Sequence, residues 1–215
     1  MAADLASIRT DYANAGLDER DLHPSPIRQI DKWLNEAIAA SHPEPTAMTI
    51  ATVSPEGVPS ARVVLLKAVD DRGLVFFTNY DSDKGKELAG NPNACANLFW
   101  VLLSRQIRIT GVVVKVPRGE SEAYFASRPR ESQLGAWASS QSSVLAGRAE
   151  LEACLAEVRS RCGEGPVPCP PNWGGYCLEP TRVELWQGRP SRLHDRLRYS
   201  RLPSGAGWTI ERLAP

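Results

Sequence analysis

Three short runs rich in β-branched and aromatic residues, Met48 to Val53, Ala61 to Val69 and Leu74 to Thr78, are separated only by Ser54-Pro-Glu-Gly57 and Asp70-Asp-Arg-Gly73. Such separators are too short for a crossover and are made of turn residues, so the chain must double back twice as an antiparallel meander. Ser82 then caps a short helix to about Ala89, and Ala94 to Leu103 and Gln106 to Val116 read as two more strands. Five strands in near succession leave edges that a soluble chain has to close, cover or charge.

The remaining segments show how that closure is met. Ahead of the meander, Ser25-Pro26 marks a helix start, and Ile27, Ile30, Trp33, Leu34, Ala37 and Ile38 recur along one helical face. Behind it lie helical stretches over Glu120 to Ser127, Ser132 to Ala138 and Arg148 to Arg161, then a proline-rich loop from Pro166 to Pro171. Strand signals return at Arg182 to Trp186, Leu193 to Tyr199 and Trp208 to Leu213. Strands at both ends, with helices inserted between them, imply one α+β domain over residues 25–215 built on a mainly antiparallel closed barrel. Residues 1–24 lack a sustained period and are expected to form a mobile or loosely docked arm.

Charge and cysteine content remove several function classes. Lys plus Arg and Asp plus Glu number 25 each, so no global field draws nucleic acid or an anionic membrane, and any anion site has to be local. The first ten residues include Asp4 and Arg9 and lack a secretory apolar core, and no later window reaches the ~20 apolar residues of a membrane span. A cytoplasmic location is therefore expected. Cys95, Cys154, Cys162, Cys169 and Cys177 form no CxxC pair, which favours free thiols over a structural metal.

Four clusters concentrate chemistry. In Arg62-Val-Val-Leu-Leu-Lys67 two cations share a strand, and alternation puts them on opposite faces, as solvated charges or as anion ligands. Phe77-Thr78 closes a strand before Ser82-Asp-Lys84, a helix start whose free N–H groups suit either a plain cap or a phosphate. Tyr124, Arg128, Arg130 and Ser132 surround a proline break, either as a charged helix end or as an anion pocket. Arg192, His194 and Arg196, read as strand, fall at period two on one face, which gathers cations beyond what solubility asks.

Taken together, these stretches resemble the pyridoxamine 5'-phosphate oxidase family over roughly residues 25–215. The resemblance rests on Arg62 to Lys67, Ser127 to Trp137, Gln141-Ser142, Pro171 to Gly175, Val183 to Gly188, Arg192 to Arg196 and Glu211 to Pro215. It implies a homodimeric FMN-binding split β-barrel that oxidises pyridoxamine or pyridoxine 5'-phosphate to pyridoxal 5'-phosphate with dioxygen, the FMN lying at the subunit interface. Position by position it implies FMN contacts from Arg62, Val63, Val64, Leu65, Leu66, Lys67, Phe77, Thr78, Lys84, Gln106, Gln141, Ser142, Trp186 and Arg196. Lys67, Tyr124, Arg128 and Ser132 would cradle the substrate phosphate, with Arg192 and His194 closing over the ring as the catalytic pair. Asp83 departs from the pattern, standing where many members carry an arginine, so weaker FMN binding is expected, with Asp83 turned away from the flavin. Three rival readings are a split-barrel oxidase of another small molecule, such as a reduced phenazine precursor, a non-catalytic pyridoxal phosphate carrier, and a structural interaction module, which would leave the clustered Arg, Lys and Tyr unexplained.

Overall fold

The computed structural model describes residues 4, 5, 12 and 16–215. Eight strands, β1 (Ala47–Val53), β2 (Pro59–Asp70), β3 (Gly73–Asn79), β4 (Asn93–Trp100), β5 (Arg105–Lys115), β6 (Trp173–Gln187), β7 (Asp195–Arg201) and β8 (Trp208–Leu213), form one sheet in the order β3-β2-β1-β4-β5-β6-β7-β8. Because β3 also pairs antiparallel with β6, the first six strands close into a barrel, the split-barrel architecture expected from the sequence. Among the described residues there are also five α-helices: α1 (Pro26–Ala39), α2 (Asp83–Gly90), α3 (Arg118–Ser127), α4 (Arg130–Ala138) and α5 (Arg148–Cys162). None of the described helices is long and apolar enough to cross a membrane.

The chain folds into two compact units, Met1–Met48 with Ala96–Thr110 and Pro180–Pro215, and Thr49–Cys95 with Gly111–Glu179. In the first, α1 buries Ile27, Ile30, Trp33 and Ala37, the face that the spacing marked. Each isoleucine so removed from water contributes about 1.5–3 kcal/mol before entropy is counted. The Arg105 guanidinium lies 4.6 Å over the Trp33 ring and pairs with Glu36, holding α1 through its polar rim as well. Ser25 starts α1 with its carbonyl, which accepts from Gln29, while its hydroxyl makes no capping bond.

The described part of the N-terminal segment is docked within this unit. Leu17 is buried, its N–H donates to Asp195, and its carbonyl accepts from Arg212, which also pairs with Glu19. The rest of the arm expected over residues 1–24 lies largely outside the described residues.

In the second unit, β2 and β3 form the expected hairpin, with a register shift between Leu66 and Ala68. Phe125, Leu134, Val158, Val167 and Trp173 join α3, α4 and α5 to the start of β6 in one apolar cluster. Arg130, grouped by sequence with the anion-pocket residues, instead donates to the carbonyls of Gly163 and Gly165 and fastens the turn after α5.

Among the boundaries that differ from the sequence expectation, three have a clear physical cause. The fourth strand ends at Trp100 rather than Leu103, because Val101–Leu103 turns as a 3-10 helix and Ser104 then takes a left-handed conformation. The strand expected from Arg182 starts nine residues earlier, at Trp173. Gly174, Gly175 and Pro180 hid it, yet the glycines are there because a Cβ on Gly174 would sit 2.2 Å from the Tyr80 hydroxyl and one on Gly175 2.6 Å from Val116. Finally, Arg192 and His194 precede β7 instead of lying in it; Ser191 and Arg192 have φ of 57° and 61°, so a tight turn replaces the expected period-two face.

Candidate active site

A cavity of about 900 Å³ opens in the second unit, walled by β2, the end of β3, the start of α2, the α3–α4 junction and the segment after α4. Thirteen of the sequence-predicted positions border it: Arg62, Val63, Val64, Leu65, Lys67, Phe77, Thr78, Lys84, Tyr124, Arg128, Ser132, Gln141 and Ser142. Leu66 does not. Alternation along β2 turns it inward, where it is 3% exposed. Gln106, Trp186, Arg192, His194 and Arg196 belong to the first unit.

Local folding explains how α2 presents its lysine. Ser82 Oγ accepts from the Gly85 N–H at 3.3 Å and donates to the Asn79 carbonyl, locking the helix start to the end of β3. Gly85 permits this, because a Cβ there would lie 2.0 Å from the Tyr80 carbonyl oxygen. Lys84 is thereby buried, with its ammonium 2.8 Å from Gln141 Oε1 and 3.3 Å from both Thr78 Oγ1 and Ser82 Oγ. All three partners are neutral. Burial, and then the charge of Arg62, push the Lys84 pKa below its ordinary value, with Asp83 and Glu87 opposing.

Arg62 reaches the cavity from β2. Its guanidinium donates to Thr52, to Ser60 at 2.5 Å and to the Glu87 carboxylate at 3.2 Å. Lys67, displaced to the other face by the five-residue offset, is exposed and makes no hydrogen bond or ion pair among the described residues.

At the opposite wall, Tyr124 stacks on Phe77 with ring centroids 4.0 Å apart, and Trp173 lies nearly parallel to Phe77 at 5.6 Å. The Arg128 guanidinium sits 4.7 Å over Trp173, while its NH1 is buried without a hydrogen-bond partner. Burial lowers the Arg128 pKa, Tyr124 and Cys169 acting against it. A half-buried guanidinium with one buried, unpaired donor and a buried lysine held only by neutral oxygens border the same cavity, a donor set suited to anions.

Seven bordering residues were not named as ligands from the sequence, among them Trp173, Asn79 and Asp83. Trp173 and Asn79 carry no motif signal of their own, although Trp173 falls within the recognised Pro171 to Gly175 stretch. Asp83 also borders the cavity, and its backbone N–H donates to Ser142 Oγ at 3.3 Å.

In the first unit, Trp186 and His194 lie 4.7 Å apart and Tyr12 meets both edge-on, at 5.6 and 5.7 Å. The Arg189 N–H donates to His194 Nδ1 at 3.1 Å, so the neutral ring carries its proton on Nε2. Arg196 is engaged by Glu184 at 2.9 Å and donates to the Ala214 carbonyl at 2.8 Å.

Two family models match most of the chain. Residues 34–162 match the family model described as pyridoxamine 5'-phosphate oxidase, and residues 173–215 match the pyridoxine 5'-phosphate oxidase C-terminal dimerisation region. The chain is 60% identical over 211 residues to pyridoxine/pyridoxamine 5'-phosphate oxidase 1 of Ralstonia nicotianae, covering 98% of this chain and 99% of that one. It is 57% identical over 212 residues to the pyridoxine/pyridoxamine 5'-phosphate oxidase of Burkholderia thailandensis, with the same two coverages. Among solved structures, PhzG from Burkholderia lata, crystallised with tetrahydrophenazine-1-carboxylic acid, superposes with a TM-score of 0.88 at 33% identity, covering 96% of this chain and 100% of that one. A pyridoxamine 5'-phosphate oxidase-related, FMN-binding protein from Nostoc punctiforme shares the fold, with a TM-score of 0.71 at 17% identity over 90% of this chain and 100% of that one.

Proposed function

Since the chain belongs to the pyridoxamine 5'-phosphate oxidase family, we propose that its cavity holds FMN and the phosphate of a B6 vitamer, with the residues named above in those roles. The protein is an FMN-dependent oxidase that converts pyridoxamine and pyridoxine 5'-phosphate to pyridoxal 5'-phosphate. Dioxygen is the acceptor, hydrogen peroxide is released, and ammonia is released from the amine. It acts as a homodimer in the cytoplasm, with the flavin at the subunit interface. The exposed apolar side chains of Val63 and Leu65 on the cavity wall support that assembly, since a second subunit would cover them.

The observation that carries this reading to the chain's own residues is the unmet anion demand of Lys84 and Arg128 in one cavity. Lys84, Arg62, Thr78, Gln141 and Ser142 supply donors suited to a flavin phosphate and ring. Arg128, Lys67, Tyr124 and Ser132 supply charged and neutral donors for the substrate phosphate. When bound, FMN provides the acceptor for the hydride equivalent leaving C4' of the substrate. The phosphate cradle holds the other end of that molecule, so the reacting carbon is presented in a fixed pose rather than by chance encounter. Arg192 and His194 orient the pyridine ring, and His194 Nε2 offers the proton it carries while Nδ1 is held by the backbone.

Oxygen uptake by the FMN-loaded protein supplied with pyridoxamine 5'-phosphate, followed by aldehyde absorbance, tests this. Turnover is expected. An FMN-bound protein that oxidises tetrahydrophenazine-1-carboxylic acid but not the phosphorylated amine would overturn the substrate assignment.

A further inference from the structure

One buried carboxylate borders the flavin-side cations without lining the cavity. Glu87 is 9% exposed and accepts from Thr52, from Ser60 at 2.8 and 2.9 Å, and from Arg62 at 3.2 Å. Thr52 lies on β1, Ser60 and Arg62 on β2, and Glu87 on α2, so three elements meet at one carboxylate. Glu87 is also one turn after Lys84 on the same helix, and that lysine faces the cavity.

A buried carboxylate is costly unless its oxygens are filled, and here they are filled by two hydroxyls and a guanidinium. Burial raises the Glu87 pKa, but the donors from Thr52 and Ser60 and the charge of Arg62 outweigh it, and the net direction is down. The carboxylate is therefore ionised at neutral pH. Its charge opposes the binding of an anion nearby, so a site selected only for positive potential would not contain it.

We propose that Glu87 is a positioning residue for the cofactor site: it fixes the Arg62 guanidinium against β1 and α2, and thereby sets the place of Arg62 relative to Lys84. The inference rests on the assignment of Arg62 and Lys84 to FMN. Thr52 and Ser60 share the task, since both also accept from Arg62. The arrangement spends electrostatic attraction to obtain a guanidinium held before the ligand arrives, which lowers the ordering cost of binding.

Titrating the apoprotein with FMN and following flavin fluorescence separates the two effects. If positioning governs, Glu87→Ala raises the FMN dissociation constant roughly tenfold, and Glu87→Gln, which keeps an acceptor oxygen for Ser60 and Arg62, raises it less. In an Arg62→Ala background Glu87→Ala then produces no further weakening. Should Glu87→Ala fail to fold, Ser60→Ala, which removes one shared anchor, is expected to weaken FMN binding in the same direction. Tighter or unchanged FMN binding in Glu87→Ala, or an equal loss with Arg62 already removed, would overturn the inference. Wild-type protein that fails to bind FMN would instead refute the flavin reading on which it rests.

Discussion

Lys84 Nζ lies 2.8 Å from Oε1 of Gln141, and the two are brought together from α2 and the segment after α4. A side-chain amide satisfies the geometry of an ammonium but not its charge, so FMN phosphate is the stronger partner. Lys84→Gln is expected to weaken FMN binding by roughly 10-fold to 100-fold, the range for a lost hydrogen bond to a charged group. Flavin fluorescence titration reads it directly.

The lowered Lys84 pKa gives opposite pH trends for binding and stability. Folded apoprotein releases this proton below the 10.5 of a free lysine, whereas the unfolded chain keeps it to that pH. Within that window the unfolded state binds more protons, so the Lys84 contribution to apoprotein stability rises with pH. FMN affinity, which uses the protonated form, falls over the same window. Comparing denaturant midpoints and FMN affinities of wild type and Lys84→Gln isolates both trends; parallel pH profiles in the two proteins would contradict them.

Arg128→Lys should not be a mild change. Lysine keeps a charge but loses the planar fork and the stacked face over Trp173. The KM for pyridoxamine 5'-phosphate is expected to rise roughly tenfold or more, with FMN affinity little altered. Steady-state kinetics at saturating FMN distinguish this from a general loss of fold.

Asp83 brings a negative charge to the cavity wall beside Lys84. Asp83→Arg is expected to tighten FMN binding, by several-fold for a partly exposed charge reversal. An unchanged or larger dissociation constant would show that this carboxylate does not sense the flavin.

Arg192→Ala is expected to lower kcat more than flavin content, because Arg192 is assigned to the substrate ring. Absorbance of the purified protein at flavin wavelengths gives occupancy, and oxygen uptake gives rate. Flavin loss as the main defect would remove that role.

The cavity was legible from sequence where residues lie on regular elements. Alternation along β2 placed Arg62 and Lys67 on opposite faces, and Ser82 marked the start of α2. Reading failed where tertiary contact overrides local preference. The glycines that concealed the first half of β6 are imposed by Tyr80 and Val116, residues nearly a hundred and about sixty positions away, which no local pattern can report. Arg130 looked like an anion ligand because residue type cannot reveal that two backbone carbonyls already occupy it. Glu87 was invisible for the converse reason: in sequence it is one more charge on a short helix.

The turn ahead of β7 sets a limit on how this protein can be improved. Ser191 and Arg192 both hold left-handed backbone angles, a conformation costing non-glycine residues of order 1 kcal/mol or more each. Replacing Ser191 with glycine would relieve that strain and raise thermal tolerance, yet it would also widen the range of directions open to the neighbouring arginine. Selection for heat resistance and selection for turnover therefore pull this one position apart, and a variant library screened for survival alone would drift toward slow enzymes.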